Sequence, residues 1–231
     1  MIGAGSSGTV YRGELTSGDT PRLVAIKVPH RGCDLRRETS ALRRFAHPNV
    51  VSVVESPTGS TDPLFIELCH QGTLEDQVAE QPLTLQYTTE VISAIGSALS
   101  AMHAAGWIHG DVNPSNIGLR TKGETCLLDF GSARPADGTS LTDGTREFCG
   151  QVINSVAELD VRSLAATARA VISPVHESVL GKLDQFIARA DGGESVTIEQ
   201  LVELLEGSCQ QGALPSLFPL DANPTLSLIH I

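Results

Sequence analysis

The sequence lacks a basic surplus. It sets 16 Lys and Arg against 27 Asp and Glu, a formal net charge of -11 over 231 residues. That argues against a nucleic-acid partner, because phosphate backbones need a basic surface. It lacks any apolar run approaching the length of a membrane span. It also lacks paired cysteines. Cys33, Cys69, Cys126, Cys149 and Cys209 are odd in number and scattered, and no two have CxxC spacing. This weighs against a disulfide framework or a zinc site and favours free thiols in a reducing compartment. A cytoplasmic location is therefore expected, and a membrane-anchored parent protein is compatible with it. No signal peptide is read at the start, since Met1 opens directly into a glycine-rich loop. Internal repeats are absent too.

With 41% apolar residues, the chain is globular and long enough for one large domain or two small lobes with a real core. Both ends are expected to be cut. The glycine loop has no strand before it, and residues 226–231 follow a Pro/Asn-rich stretch without any periodic pattern. Those six residues match the translation of a common transposon-end adapter and are expected to be non-native.

Residues 3–29 read as strands. Thr9-Val10-Tyr11-Arg12-Gly13 is β-prone, and Gly18-Asp19 marks a turn before Leu23-Val24-Ala25-Ile26-Lys27-Val28. Asp34 is the predicted N-cap of a helix running to about Phe45, which Pro48 prevents from continuing. Residues 50–55 and 64–68 predict two more strands. After Gly72 the period becomes helical, with Val91, Ile95, Ala98, Leu99 and Met102 on one face of a helix from Thr84 to Ala105 that Gly106 ends. Residues 132–150 read as a long functional loop. Three further helices are predicted near 154–172, 176–190 and 197–206.

The chemistry concentrates in two phrases. His109-Gly110-Asp111-Val112-Asn113-Pro114-Ser115-Asn116 sets an amide five residues after an acid, and Asp129-Phe130-Gly131 closes the apolar run Cys126-Leu127-Leu128. One carboxylate can orient a hydroxyl nucleophile, while an amide and a second carboxylate hold the metal ions that carry nucleotide phosphates. Upstream, Gly3-Ala4-Gly5-Ser6-Ser7-Gly8 is a GxGxxG. A dinucleotide fold would need a helix directly after it, but here a β run follows, and then Val24-Ala25-Ile26-Lys27. Glycines let the backbone close over a triphosphate, and Lys27 can neutralise its α/β-phosphates. Glu38, early in the next helix, is the carboxylate that fixes such a lysine.

Taken together, these motifs resemble the eukaryotic-like Ser/Thr protein kinases of bacteria from Gly3 to about Glu206. The resemblance implies an α+β, bilobal fold with a small β-rich N-lobe at 1–70, a helical C-lobe at 71–210 and a tail at 211–231, with the lobe boundary near Cys69 to Gly72. It implies Asp111 as catalytic base, with Lys27 and Glu38 in support. Asn116 and Asp129 are implied as ligands of Mg2+, with Mn2+ as the alternative ion. Gly3, Gly5, Gly8, Val10, Ala25, Lys27, Glu67 and Cys69 would line the ATP site. Glu67 to Cys69 would be the hinge along adenine, with Ile66 as gatekeeper. Leu42, His109 and Phe130 would be spine residues, Asp160 would brace the catalytic loop, and Thr145 would help place the acceptor.

The departures are specific. Gly110 stands where an arginine precedes the catalytic aspartate, so activation by loop phosphorylation through that arginine is not expected. Asn113 stands where a lysine contacts the γ-phosphate. Gly118 stands where a larger apolar residue supports adenine. Around Cys149-Gly150-Gln151 the Ala-Pro-Glu phrase is degraded, and its late-helix arginine is replaced near Ser195. Losing both of those partners leaves no orphan buried charge. The expectation is ATP-dependent phosphoryl transfer to Ser/Thr of protein substrates. The alternatives are a pseudokinase that binds nucleotide or partners, and a small-molecule hydroxyl kinase.

Overall fold

A computed structural model describes residues 1–5, 7–16, 21–54, 63–136 and 156–212. The expected acceptor residue Thr145 and the degraded phrase at 149–151 lie outside the described residues.

The first part of the chain is a four-stranded antiparallel sheet in the order β1 (Gly3–Ala4), β2 (Gly8–Leu15), β3 (Arg22–Pro29), β4 (Leu64–Glu67). Its register pairs Val10 with Lys27, Lys27 with Leu64, and Ala25 with Ile66. Directly opposed residues share a face and neighbours along a strand alternate. Val10, Ala25, Lys27, Leu64 and Ile66 therefore face one way, and Val24, Phe65 and Glu67 the other.

Helix α1 (Arg36–Arg44) buries Glu38, Thr39, Ala41 and Leu42. Asp34 does not cap it in the expected way. The flanking position is Leu35, which is drawn into the core, and Asp34 stays exposed, accepting from the backbone N–H of Arg36 at 2.8 Å and from its Nε. Burial of one leucine outweighs the regular cap. The strand expected at 50–55 is also only partly formed. Within the described residues 50–54, Val50 bridges Leu127 and Val53 bridges Ile66. The segment divides its bonds between two sheets, since Glu67 N donates to Ser52 O and Val51 N donates to Leu127 O.

Helix α2 (Leu74–Glu80) opens with a capping box between Thr73 and Asp76. Helix α3 (Leu85–Ala104) is capped by Thr84 and carries Ile92, Ile95, Ala98, Leu99 and Met102 fully buried. Gly106, at φ +71°, terminates it as predicted. A short pair, β5 (Trp107–Ile108) with β8 (Arg134–Pro135), and the hairpin β6 (Ile117–Leu119) with β7 (Thr125–Leu127) follow. Helices α4 (Ala157–Val171), α5 (Glu177–Asp191) and α6 (Ile198–Gly212) pack with α3 around the second half of the core. A β-rich first part and a helical second part agree with the expected α+β class. Among the described residues, no helix is long and apolar enough to cross a membrane.

Candidate active site

Lys27 projects from β3 into a buried cluster of charge. Its Nζ donates to both Glu38 carboxylate oxygens at 2.8 Å and to Asp129 Oδ1 at 3.0 Å. Lys27 is 5% exposed and Glu38 is 4% exposed. Burial works against the charged amine, but the Glu38 and Asp129 carboxylates outweigh it and hold Lys27 above its ordinary value. Burial likewise works against Asp129, yet Lys27 and the Gly131 N–H hold its carboxyl below the usual range. Glu38 is pushed up by burial despite Lys27, with the Asp129 charge adding to the push. Two carboxylates sharing one ammonium leave Glu38 the less satisfied of the pair. Lys27 and Asp129 are both shifted towards their charged forms, so this ion pair is favoured at neutral pH.

Asp129 itself takes a left-handed conformation, φ 50° and ψ 82°. This non-glycine strain turns the carboxylate onto Lys27 and onto the N–H of Gly131. Phe130, which follows, is buried against His109, with ring centroids 5.1 Å apart and edge to face, and against Phe45 at 6.4 Å.

The loop bearing Asp111 is held from beneath by Asp160 on α4. Its buried carboxylate accepts from His109 N and Gly110 N, both at 2.8 Å, and bonds His103 Nε2 at 2.9 Å. His109 is wholly buried, and burial holds it below its ordinary value against the pull of Asp160. It is therefore neutral. With Nε2 donating to Leu128 O, Nδ1 is left to accept from Asp111 N.

Asp111 is exposed, and two amides hold its carboxylate. Asn113 Nδ2 reaches Oδ1 at 3.0 Å, and Asn116 Nδ2 reaches Oδ2 at 2.9 Å. The Asn113 oxygen accepts from the N–H groups of Ser115 and Asn116 and from the Ser115 hydroxyl, capping the turn Pro114–Asn116. Asn113 is thus turned into its own loop, where the family resemblance expects a lysine reaching for phosphate. Gly110 stands at φ +80°, a left-handed conformation that a side chain would strain, and a Cβ there would also meet Arg134 Nη1 at 2.7 Å and Ser132 O at 3.1 Å. An arginine from β8 fills the space that the expected arginine would enter.

The glycine loop joins β1 and β2, with Gly3 and Gly8 on strands and Gly5 N donating to Gly8 O. Val10 and Ala25 lie on the Lys27 face. The expected gatekeeper Ile66 shares that face, but the side chain of the expected hinge residue Glu67 does not. Its carboxylate accepts from Ser52 N at 3.1 Å and from the Nε and Nη2 groups of Arg120. Any contact of Glu67 with adenine would come from its backbone. Arg120 also donates to the carbonyls of Pro48 and Val50. Sequence reasoning missed this arginine, which ties three segments together and has no local signal, since 53 residues separate it from Glu67.

The donors fit a hard cation. Asn116 spends its amide nitrogen on Asp111, which leaves the amide oxygen, and Asp129 supplies a carboxylate. Oxygen donors of this kind suit Mg2+, which is commonly held by one or two protein groups with phosphates and water completing the shell. No group of three or more His, Cys, Asp or Glu that could hold a metal occurs among the described residues.

A protein kinase domain profile matches residues 1–154, which is more than half of the chain. The chain belongs to the protein kinase domain family. The probable serine/threonine-protein kinase PknB of Lactococcus lactis is 33% identical over 158 residues, covering 64% of this chain and 25% of the relative. Serine/threonine-protein kinase PkaA of Streptomyces coelicolor is 34% identical over 171 residues, covering 64% and 31%. Serine/threonine-protein kinase PknK of Mycobacterium bovis is 33% identical over 190 residues, covering 74% and 17%. The chain thus spans a third or less of the length of these kinases. The kinase-domain profile reaches every member of the Lys27, Glu38, Asp111, Asn116 and Asp129 set, and Asp160 lies beyond the residues that the profile matches.

Proposed function

We propose that this kinase domain transfers the γ-phosphoryl group of ATP to Ser/Thr hydroxyls of protein substrates. The observation that carries the reading is the buried Lys27 amine held between Glu38 and Asp129. Such a cluster costs several kcal/mol to desolvate and is hard to account for as packing alone. Lys27 takes the α/β-phosphates, and Glu38 fixes its side chain. Asp111 accepts the substrate hydroxyl's proton and aims its oxygen, while Asn113 and Asn116 hold the carboxylate in place. The glycines of the β1–β2 turn admit the triphosphate beneath the backbone. Val10, Ala25, Ile66 and the backbone from Glu67 to Cys69 border adenine. Asn116 and Asp129 would hold Mg2+, which supplies charge neutralisation for the phosphates. Thr145 places the acceptor hydroxyl. The lobe division at 1–70 and 71–210 and a cytoplasmic setting belong to the same proposal, the latter supported by the free thiols of the described residues.

A nucleotide-binding pseudokinase is the second reading, and the inward-turned Asn113 is the observation that favours it. The loss of one phosphate-facing donor is worth about 10²–10³ in rate, which slows an enzyme that keeps its base and metal ligands without silencing it. A small-molecule hydroxyl kinase is the third reading, resting on Gly110 and Asn113. Labelled γ-phosphate, offered with Mg2+ to a panel of Ser/Thr-rich proteins and a panel of metabolites, separates the three. Label on protein that Asp111→Asn removes supports the proposal. Equal label with wild type and variant, or label on metabolites alone, overturns it.

A further inference from the structure

Two thiols kept 57 residues apart by the sequence meet in the fold. Cys69 lies half-buried just after β4, and its Sγ is 3.5 Å from Sγ of Cys126, buried on β7. Gly118 on β6 makes the space for this meeting. It pairs with Cys126 across the hairpin, and a Cβ at 118 would stand 2.4 Å from Cys69 Sγ and 3.0 Å from Leu128 Cδ2. Any side chain there would push the Cys69 thiol off its partner. Three residues from separate segments therefore converge on one sulfur–sulfur contact. Phosphoryl transfer uses neither thiol group.

The pair is also asymmetric. The hydrogen bond between Cys69 and Cys126 holds Cys69 below the usual thiol range despite burial. That same bond and burial push Cys126 up. One thiol is reachable and ionises more readily, and its partner is sheltered and waits beside it. Reactive cysteines are distinguished from inert ones in this way.

We propose that Cys69 and Cys126 are a modification site that closes to an intrachain disulfide on reaction with a hydroperoxide. The Cys69 thiolate attacks a peroxide oxygen, and the O–O bond breaks. Cys69 becomes a sulfenic acid, and the departing oxyanion leaves as alcohol or water with the proton Cys69 gave up. Cys126 sulfur then attacks Cys69 sulfur. The S–S bond forms, the S–O bond breaks, and hydroxide departs as water with the Cys126 proton. The two thiols lose two electrons and the peroxide gains them. Closure to a bonded S–S separation moves the sulfurs together by about 1.5 Å. The product pins the segment that leaves β4 to the β6–β7 hairpin.

The test is peptide mapping of the purified chain under non-reducing conditions after titration with hydrogen peroxide. Its readout is a sulfur bond, so it stands or falls separately from phosphoryl transfer. The expected result is a Cys69–Cys126 linked peptide from monomeric protein, reversed by dithiothreitol and accompanied by a higher Tm. Gly118→Ala keeps both thiols and is expected to lose the linked peptide. Cys126→Ser, which leaves Gly118 intact, is expected to stop at a Cys69 sulfenic acid that dimedone traps. A wild-type chain that links other cysteines, or overoxidises Cys69 while Cys126 stays reduced, overturns the proposal. So does Gly118→Ala protein that forms the link as fast as wild type.

Discussion

Lys27 and Asp111 occupy opposite kinds of surroundings. Lys27 is 5% exposed, and its partners come from α1 and from the turn after β7, 11 and 102 residues away. Asp111 is exposed, and both side-chain partners of its carboxylate lie within five residues. The first site exists only when the fold brings three segments together, whereas the second is built within one loop and merely steadied by Asp160. Catalysis should therefore be coupled to folding at Lys27 and separable from it at Asp111.

The largest effect is expected at Lys27. Lys27→Met strands the buried Glu38 carboxylate and should cost ~3 kcal/mol of stability, read from urea unfolding, together with roughly 10²–10³ in transfer rate. Adding Glu38→Leu should recover most of the stability and none of the rate, because it removes the orphaned charge without restoring the amine. Stability that does not recover would mean that Glu38 is held by groups other than Lys27.

Asp111→Asn comes next. It should abolish transfer while shifting stability by no more than ~0.5 kcal/mol, as for an exposed substitution. A large loss of stability would show that the loop is not self-contained. Asn113→Ala removes the oxygen that caps the turn and should cost about 1 kcal/mol. It should lower kcat more than it raises the KM for ATP, since it frees the Asp111 carboxylate without touching the nucleotide's border. An effect confined to KM would place Asn113 on the phosphates instead.

The smallest effect concerns pH. The folded-state value of Lys27 is raised above its reference of 10.5. Its stabilising contribution is therefore complete below that pH and is lost as pH rises through the folded value. The stability difference between wild type and Lys27→Met should stay flat through neutral pH and shrink only above about 10.5. A decline nearer neutrality would mean that burial has won over the two carboxylates.

The contrast also marks what the sequence could convey. Period and turn chemistry were enough for β2, β3, the long α3 and its glycine stop, since those signals lie within a few residues of one another. They failed where distant atoms decided. Leu35 was taken into the core at the expense of the Asp34 cap, and residues 50–54 were shared between two sheets. The five polar groups around Lys27 and Asp111 were legible through motif spacing, and the structure joins Lys27, Glu38 and Asp129 in one cluster and Asp111 with Asn116 in another. Arg120 on Glu67, Arg134 over Gly110 and the Cys69–Cys126 contact were not legible. Each joins positions whose spacing carries no pattern, and only the folded backbone makes them neighbours.

The most direct test sets Lys27→Met and Asp111→Asn side by side, measuring γ-phosphoryl transfer and urea stability on the same preparations. The account predicts that both variants lose transfer and that only Lys27→Met loses stability. Transfer that survives in Asp111→Asn, or equal losses of stability in the two variants, would contradict it.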